Sequence, residues 1–215
     1  YDKKKEFTKS FAFRMKTDSE KKLTRNTGFY ERTSKLTRNF VDARGFWLPN
    51  DYTKHGVINE YTACREKAVV IDLSSLRKFE ILGPDAEELM NYTLTRNIKK
   101  LSVGQIVYSA MCYENGTMFD DGTLLRLSET GFRWVCGDEY AGEWLKEQAK
   151  KKNLKVVIKN STDQINNISV QGPNSRKILE KIIFTPPTQP SIGELQWFRF
   201  TICRLEELNG IPLIV

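Results

Sequence analysis

Two adjacent carboxylates, Asp120 and Asp121, are the residues of this chain whose types and spacing best suit chemistry. They closely follow an Asn115-Gly116 pair that lies between two apolar, β-rich runs. Asn-Gly accepts positive φ at both central positions of a turn, which predicts a β-hairpin over residues 106–127. Neighbouring strand residues face opposite sides, so one aspartate should point toward the covered face of the sheet. A carboxylate there costs free energy unless polar groups meet it, which indicates a site.

Other common catalytic groups are scarce in this sequence. His55 is its only histidine, which argues against a histidine-rich metal site and against most Ser-His or Cys-His nucleophiles. The four cysteines are widely spaced within apolar runs, which predicts buried free thiols and no disulfide framework: Cys64, Cys112, Cys136 and Cys203. We therefore predict no metal site.

Composition fits one large domain or two small ones, with 215 residues, 40% of them hydrophobic and 28% charged. No apolar run approaches the roughly 20 residues that span a bilayer, so no membrane contact is expected. The net charge is +7, and the lysines are dispersed. A solvated basic surface is the favoured interpretation, and steering of an anionic ligand or an acidic protein partner is another. Nucleic-acid binding is disfavoured because no aromatic-basic motif of an RNA-binding sheet is present.

The helices and strands that must position the carboxylates are predicted from hydrophobic periodicity and from turn-forming residues. We predict a largely irregular basic arm before residue 25 and a helix over residues 57–67. Strand, Gly-Pro and helix follow one another at residues 78–90 and again at 167–179, which indicates two related units, although Gly-Pro also occurs there by chance. A second hairpin is expected around Asn209-Gly210, with strands over residues 196–203 and 211–215. The pattern predicts an α+β fold with mostly antiparallel strands. The apolar strand at the end of the sequence favours a fragment of a longer protein.

Seven motifs, in order over roughly residues 25–215, resemble the folate-dependent aminomethyltransferase family. That family includes the T-protein of the glycine cleavage system, related tetrahydrofolate-dependent demethylases, and the folate domains of dimethylglycine and sarcosine dehydrogenases. Each motif is short, and the match depends on their shared order. The motifs are Thr27-Gly-Phe-Tyr-Glu31, Trp47-Leu-Pro49 with Tyr52, Arg65 to Ser74, Gly83-Pro-Asp-Ala86, Gly104 to Ser109, Asn115-Gly116 with Asp120-Asp121, and Gln171-Gly-Pro173.

The resemblance implies an α+β fold of two facing ferredoxin-like or plate-like subdomains, with the family's C-terminal β-barrel-like domain missing from this chain. It places a basic arm at residues 1–24. The first, discontinuous folate-binding subdomain would comprise residues 25–77 plus 163–215, and the second would comprise residues 78–162. It also implies a cytoplasmic location, or the mitochondrial matrix in a eukaryote.

The resemblance also assigns the site residues. Asp121 matches the family's key carboxylate, which meets the amine of tetrahydrofolate, whereas Asp120 would face outward. Tyr108 matches a tyrosine that lines the folate pocket, and Leu76 matches a methionine on the pterin side. Thr123 follows Asp121 on the same strand face, from which it would reach the ligand. Trp197 and Phe198 match an aromatic pair near the folate rings, with one of the two facing the core. Ordinary core packing is the alternative for Tyr108, Leu76 and this pair.

The implied activity is tetrahydrofolate-dependent one-carbon transfer, glycine-cleavage T-protein-like, with a methylated or aminomethyl donor. The resemblance also implies an acidic lipoyl carrier protein as a further candidate partner. The alternative is a non-catalytic folate-binding protein, or a regulatory protein of the tRNA-modification type, on the same fold. The chain departs from the glycine-cleavage pattern at Leu76, at Gly122 and at Gly137, where the family has an asparagine that contacts the pterin. These differences favour another N-methyl or S-methyl donor.

Overall fold

The computed structural model describes residues 24–215, and the chain divides into two compact units, one ending at Lys54 and the other spanning His55–Val215. The fold is α+β, and every described strand pair is antiparallel except one two-residue parallel pair. This confirms the predicted fold class. The predicted basic arm, residues 1–24, lies outside the described residues except for Thr24. The predicted subdomain boundaries stay a prediction.

The first unit contains a small sheet whose strand order is β1-β3-β2. Arg44 and Gly45 both have positive φ, 55° and 80°, in the tight turn between β2 and β3. Paired positive φ values match the right-handed twist of the two strands, so the turn closes an antiparallel hairpin. The elements are β1 (Arg25–Asn26), α1 (Tyr30–Thr33), β2 (Phe40–Ala43) and β3 (Phe46–Pro49).

The second unit carries the predicted site. Its helices are α2 (Gly56–Glu66), α3 (Ala86–Thr93), α4 (Tyr140–Lys151) and α5 (Ser175–Ile182), with a 3-10 turn at Ile98–Lys100. Its strands are β4 (Val69–Asp72), β5 (Arg77–Leu82), β6 (Ile106–Cys112), β7 (Met118–Ser128), β8 (Gly131–Cys136), β9 (Val157–Asn160), β10 (Ile168–Gln171), β11 (Ile183–Phe184), β12 (Ile202–Leu205) and β13 (Pro212–Ile214). None of the helices within residues 24–215 is long and apolar enough to cross a membrane.

The main sheet has the strand order β6-β7-β8-β5-β9, with every neighbour antiparallel. Its core face packs against α3 and α4 and buries Leu124, Phe132 and Trp134 completely. Alternate residues of the same strands face the other way, and there Tyr108 is 49% exposed. The sheet therefore has one face closed by helices and one face that is partly open. β6 and β7 form the predicted Asn115-Gly116 hairpin.

The repeated strand, Gly-Pro and helix pattern is present in both places. β5 leads through Gly83 into α3, and β10 leads through Gly172 into α5. Both glycines have positive φ, 136° and 125°, and a Cβ at either would lie within 2.6 Å of a backbone carbonyl oxygen. Only glycine fits such a close approach at this backbone conformation. The two strand, Gly-Pro and helix segments therefore have the same local structure, although β5 belongs to the main sheet and β10 pairs with β4.

The remaining sheet joins β11, β12 and β13. The predicted hairpin around Asn209-Gly210 is confirmed, because β12 and β13 pair across it. Its first strand begins at Ile202, so the prediction of a strand from residue 196 is wrong. All four cysteines are free thiols, as predicted, but Cys64 and Cys112 are half-buried rather than buried.

Candidate functional site

The two aspartates face opposite sides of β7, as strand alternation requires, but the predicted sides were reversed. Asp120 is buried and pairs with Met111 on β6, whose side chain lies in the core. Asp121 is half-buried and faces the partly open side. The prediction that Asp120 faces outward is therefore wrong. The pairing of Asp120 with Met111 continues a regular register from Ile106–Leu125, and this register puts Asp120 on the same side as the buried Leu124.

Asp121 and Tyr108 form a hydrogen-bonded pair on the open face. The Tyr108 hydroxyl donates to Asp121 Oδ2. Ala110 pairs with Asp121, so Tyr108 is its diagonal neighbour across β6 and β7. The hydrogen bond is the main reason that the pKa of Tyr108 is raised above its ordinary value, because ionisation of the phenol would break it beside a negative charge. The pair holds the carboxylate in one orientation.

Thr123 and Tyr108 are direct cross-strand partners on this face. Thr123 pairs in turn with Val135, and Val135 pairs with Lys78. These four residues therefore form one row across the sheet, from β6 to β5. The structure places three predicted site residues, Asp121, Tyr108 and Thr123, side by side at one end of that row.

Leu76 is connected to the other end of the row through Lys78. Leu76 lies half-buried in the loop between β4 and β5. The Lys78 side chain is 1% exposed, and its Nζ donates to the backbone oxygens of Ser74 at 2.9 Å and Leu76 at 2.8 Å. The buried ammonium thus fixes the loop that carries Leu76. Lys78 was not among the predicted site residues, because β5 also contains Arg77 and Glu80 and its sequence does not mark this lysine as buried.

Lys78 makes a testable contribution to stability. Burial is the main cause that lowers its pKa from 10.5 to about 8. Between these values the unfolded chain binds more protons than the folded chain, so stability should rise with pH. We expect the stability of wild type relative to Lys78→Met to increase by about 1 kcal/mol per pH unit above pH 8, measured by urea unfolding. Lys155→Met, at an exposed lysine, is the control, and equal slopes for all three proteins would contradict this role.

Trp197 and Phe198 lie beside the first residue of β6. Ile106 N–H donates to Phe198 O at 2.8 Å, and Ile106 is on the same strand face as Tyr108. The two rings stack with centroids 5.9 Å apart and planes 29° apart. Trp197 is 87% exposed and Phe198 39%, so the expectation that one of them faces the core is wrong. The reason is a turn at Phe198, where φ is 53°, which leaves Phe200 to enter the core instead.

The junction between β8 and α4 is where the family's asparagine is replaced by Gly137. The backbone N–H groups of Gly137 and Asp138 both donate to the carboxylate of Asp120, at 3.3 and 3.0 Å. Asp138 Oδ1 accepts the N–H of Tyr140 at 2.8 Å at the start of α4. This junction is therefore fixed by carboxylates on both of its sides.

The GCVT N-terminal domain family matches residues 29–215. The chain belongs to this family. That confirms the family predicted from the seven motifs, including the hairpin with Asp121 and the strand, Gly-Pro and helix units. The match covers every helix and strand of the second unit. The partly open face of the main sheet, which carries Asp121 and which we call the Asp121 face, is therefore part of the GCVT N-terminal domain.

Comparison with individual proteins agrees with this membership. The chain is 51% identical over 215 residues to a trimethylamine-oxide aldolase of Ruegeria pomeroyi and covers 27% of that protein. It is 31% identical over 197 residues to an aminomethyltransferase of Symbiobacterium thermophilum, covering 89% of this chain and 50% of that protein. The glycine cleavage system aminomethyltransferase T of Bartonella henselae superimposes with a TM-score of 0.68 at 25% identity, over 82% of this chain and 47% of that one. The chain thus spans half or less of the length of these relatives.

Proposed function

We propose that the protein transfers a one-carbon unit from a methylated or aminomethyl amine to tetrahydrofolate, and that Asp121 is its catalytic carboxylate. The observation that carries the proposal is the Asp121–Tyr108 pair on the partly open face of a GCVT N-terminal domain. A carboxylate fixed by a neighbouring hydroxyl and reachable from one side suits the binding of an amine.

The side chains around the pair suit a flat, nitrogen-rich ligand. Tyr108 and Trp197 expose ring surface, and flat rings stack on flat heterocycles. Thr123 adds a hydroxyl beside Tyr108, and Leu76 lies half-buried in the loop that Lys78 holds at the other end of the row. We infer that Asp121 and Thr123 hold the polar edge of tetrahydrofolate, while Tyr108, Trp197 and Phe198 contact its rings.

The chemistry assigned to Asp121 is electrostatic. Tetrahydrofolate, when bound, supplies the nucleophilic amine that receives the one-carbon unit. Positive charge develops on an amine nitrogen as it forms a new bond, and a fixed carboxylate stabilises that charge and orients the nitrogen. Tyr108 keeps Oδ2 of Asp121 in place, which leaves Oδ1 to face the ligand. Acceptance of the nitrogen's proton by Asp121 is a second role that this position permits.

The names of two kinds of relative support a proposal for the donor class. One protein similar to this chain is named for trimethylamine oxide and others for aminomethyl transfer. The identity of 51% over the whole chain favours an N-methylated amine, or the carbon unit released from one, over a lipoyl-bound aminomethyl group. An acidic lipoyl carrier protein is the second donor that we propose to test, because the net charge of +7 would attract it.

Calorimetry with tetrahydrofolate tests the proposal directly. We expect the protein to bind tetrahydrofolate, and Trp197→Ala to weaken binding by about tenfold through lost stacking. Tyr61→Ala removes another exposed aromatic ring, on α2, and should leave the affinity unchanged. The rate of one-carbon transfer to tetrahydrofolate is then measured with methylated amines, amine oxides, sulfonium compounds and a lipoyl carrier as donors. Lack of binding at high micromolar tetrahydrofolate would refute the proposal, whereas binding without transfer from any donor would support a non-catalytic folate-binding protein.

A further inference from the structure

Asp120 occupies an unusual position for a carboxylate, since it is 8% exposed on the core side of β7. Its Oδ1 accepts the backbone N–H of Asp121 at 2.9 Å and of Gly137 at 3.3 Å. Its Oδ2 accepts the backbone N–H of Asp138 at 3.0 Å. A buried charge is tolerated where several donors meet it, and three amides do so here.

These three amides lie just past the point where the pairing of β7 with β8 ends. β7 and β8 pair only as far as Gly122 and Cys136, and beyond them the chain turns into α4. Amides past the last pair need other acceptors, and the Asp120 carboxylate provides them. One side chain thus links the strand that carries Asp121 to the turn that follows β8.

The neighbouring thiol is compatible with this charge. Cys136 is 2% exposed, and burial, followed by the nearby Asp120 charge, raises the pKa of its thiol far above the ordinary value. The thiol therefore stays neutral and does not repel Asp120. The carboxylate is stabilised by the amides with no competing anion on Cys136.

We propose that Asp120 is a positioning residue for Asp121: its carboxylate fixes the backbone from which Asp121 projects onto the opposite face of the sheet. The expected loss of rate rests on the proposed function, whereas the expected displacement of Asp121 does not. Without the carboxylate, the end of β7 and the Gly137–Asp138 turn separate, and Asp121 loses its alignment with Tyr108. A misplaced catalytic group costs rate even when ligand contacts survive.

Tyr108 reports on this alignment independently of turnover. Its pKa is raised chiefly by the hydrogen bond to Asp121, so the pKa falls toward 10.0 when Asp121 moves away. The phenol can be titrated by NMR of the labelled tyrosine ring, with Tyr108→Phe identifying the signal. Asp120→Asn removes the charge, whereas Asp120→Glu keeps the charge but displaces its oxygens. Asp85→Asn is the matched control, because Asp85 also accepts a backbone N–H, from Lys155 at 2.7 Å.

We expect the Tyr108 pKa to fall toward 10.0 in both Asp120 variants and to stay raised in Asp85→Asn. In the same proteins, Asp120→Asn should lower kcat by roughly tenfold or more while tetrahydrofolate affinity stays within about threefold. A Tyr108 pKa that stays raised in both folded Asp120 variants would overturn the inference. If wild type does not bind tetrahydrofolate, the proposed function fails, but the Tyr108 titration still decides the role of Asp120.

Amide hydrogen exchange covers the case in which neither Asp120 variant folds. In wild type, the amides of Asp121, Gly137 and Asp138 should be protected to the same degree as paired strand amides of β7, since each donates to a buried acceptor. Exchange at the rate of unprotected amides at these three positions would overturn the inference.

Discussion

Asp121→Asn is expected to lower the rate of one-carbon transfer by about a hundredfold or more while tetrahydrofolate affinity changes by less than about threefold. Asparagine keeps the size of the side chain and can still accept the Tyr108 hydrogen bond, but it carries no charge. The charge matters only as the amine nitrogen becomes positive, so its loss should appear in kcat rather than in binding.

Steady-state kinetics and calorimetry on the same preparations measure the two quantities. Glu129→Gln removes one negative charge at an exposed position outside the Asp121 face and serves as the control. An unchanged transfer rate in Asp121→Asn would exclude Asp121 from the chemistry. Equal losses in rate and affinity would instead show that Asp121 contributes uniform binding.

Gly122→Ala is expected to destabilise the fold by about 3 kcal/mol, through overpacking in the sheet. Gly122 is buried next to Asp121, and a Cβ there would overlap the backbone carbonyl oxygen of Val135 and lie 3.0 Å from the Trp134 ring. The backbone of β8 can retreat only by breaking pairs with β7, because Gly122 and Cys136 are themselves partners. The close approach of β7 and β8 at this point therefore requires glycine at residue 122.

Urea unfolding of Gly122→Ala measures the loss. Gly193→Ala is the matched control, since the only close contact of a Cβ there would be with the carboxylate end of Glu180, at 2.9 Å, and that flexible side chain can move. We expect the control to change the free energy of unfolding by less than about 0.5 kcal/mol. A similarly small change in Gly122→Ala would mean that β7 and β8 separate at little cost.

Much of the fold could be predicted because its signals are local. The Asn115-Gly116 and Asn209-Gly210 pairs each lie in a hairpin loop, as predicted; Gly116 has a φ of 81°, whereas in the second loop the positive φ is at Glu206, at 64°. The strand, Gly-Pro and helix units are likewise specified by adjacent residues, and both are present. Family membership follows from the order of such local motifs, and the match to residues 29–215 confirms it.

The predictions failed where a residue's position depends on contacts with residues that are distant in the sequence. Trp197 and Phe198 were expected in a strand because their segment is apolar and β-rich, yet Phe200 N–H donates to Gly104 O at 3.1 Å and the segment follows the loop before β6. Lys78 is separated by 84 residues from Thr162, the hydroxyl that accepts its backbone N–H. No local pattern encodes such partners.

The sequence by itself determined that two aspartates follow a hairpin turn and that they face opposite sides of a strand. Only the tertiary structure decided which aspartate faces which side. The period of a strand is two residues, so the side that each carboxylate occupies depends on the register in which β7 pairs with β6, where Asp120 lies opposite Met111. This register places Asp121 beside Tyr108 on the open face and directs Asp120 to the backbone N–H of Asp138, beyond the end of β8.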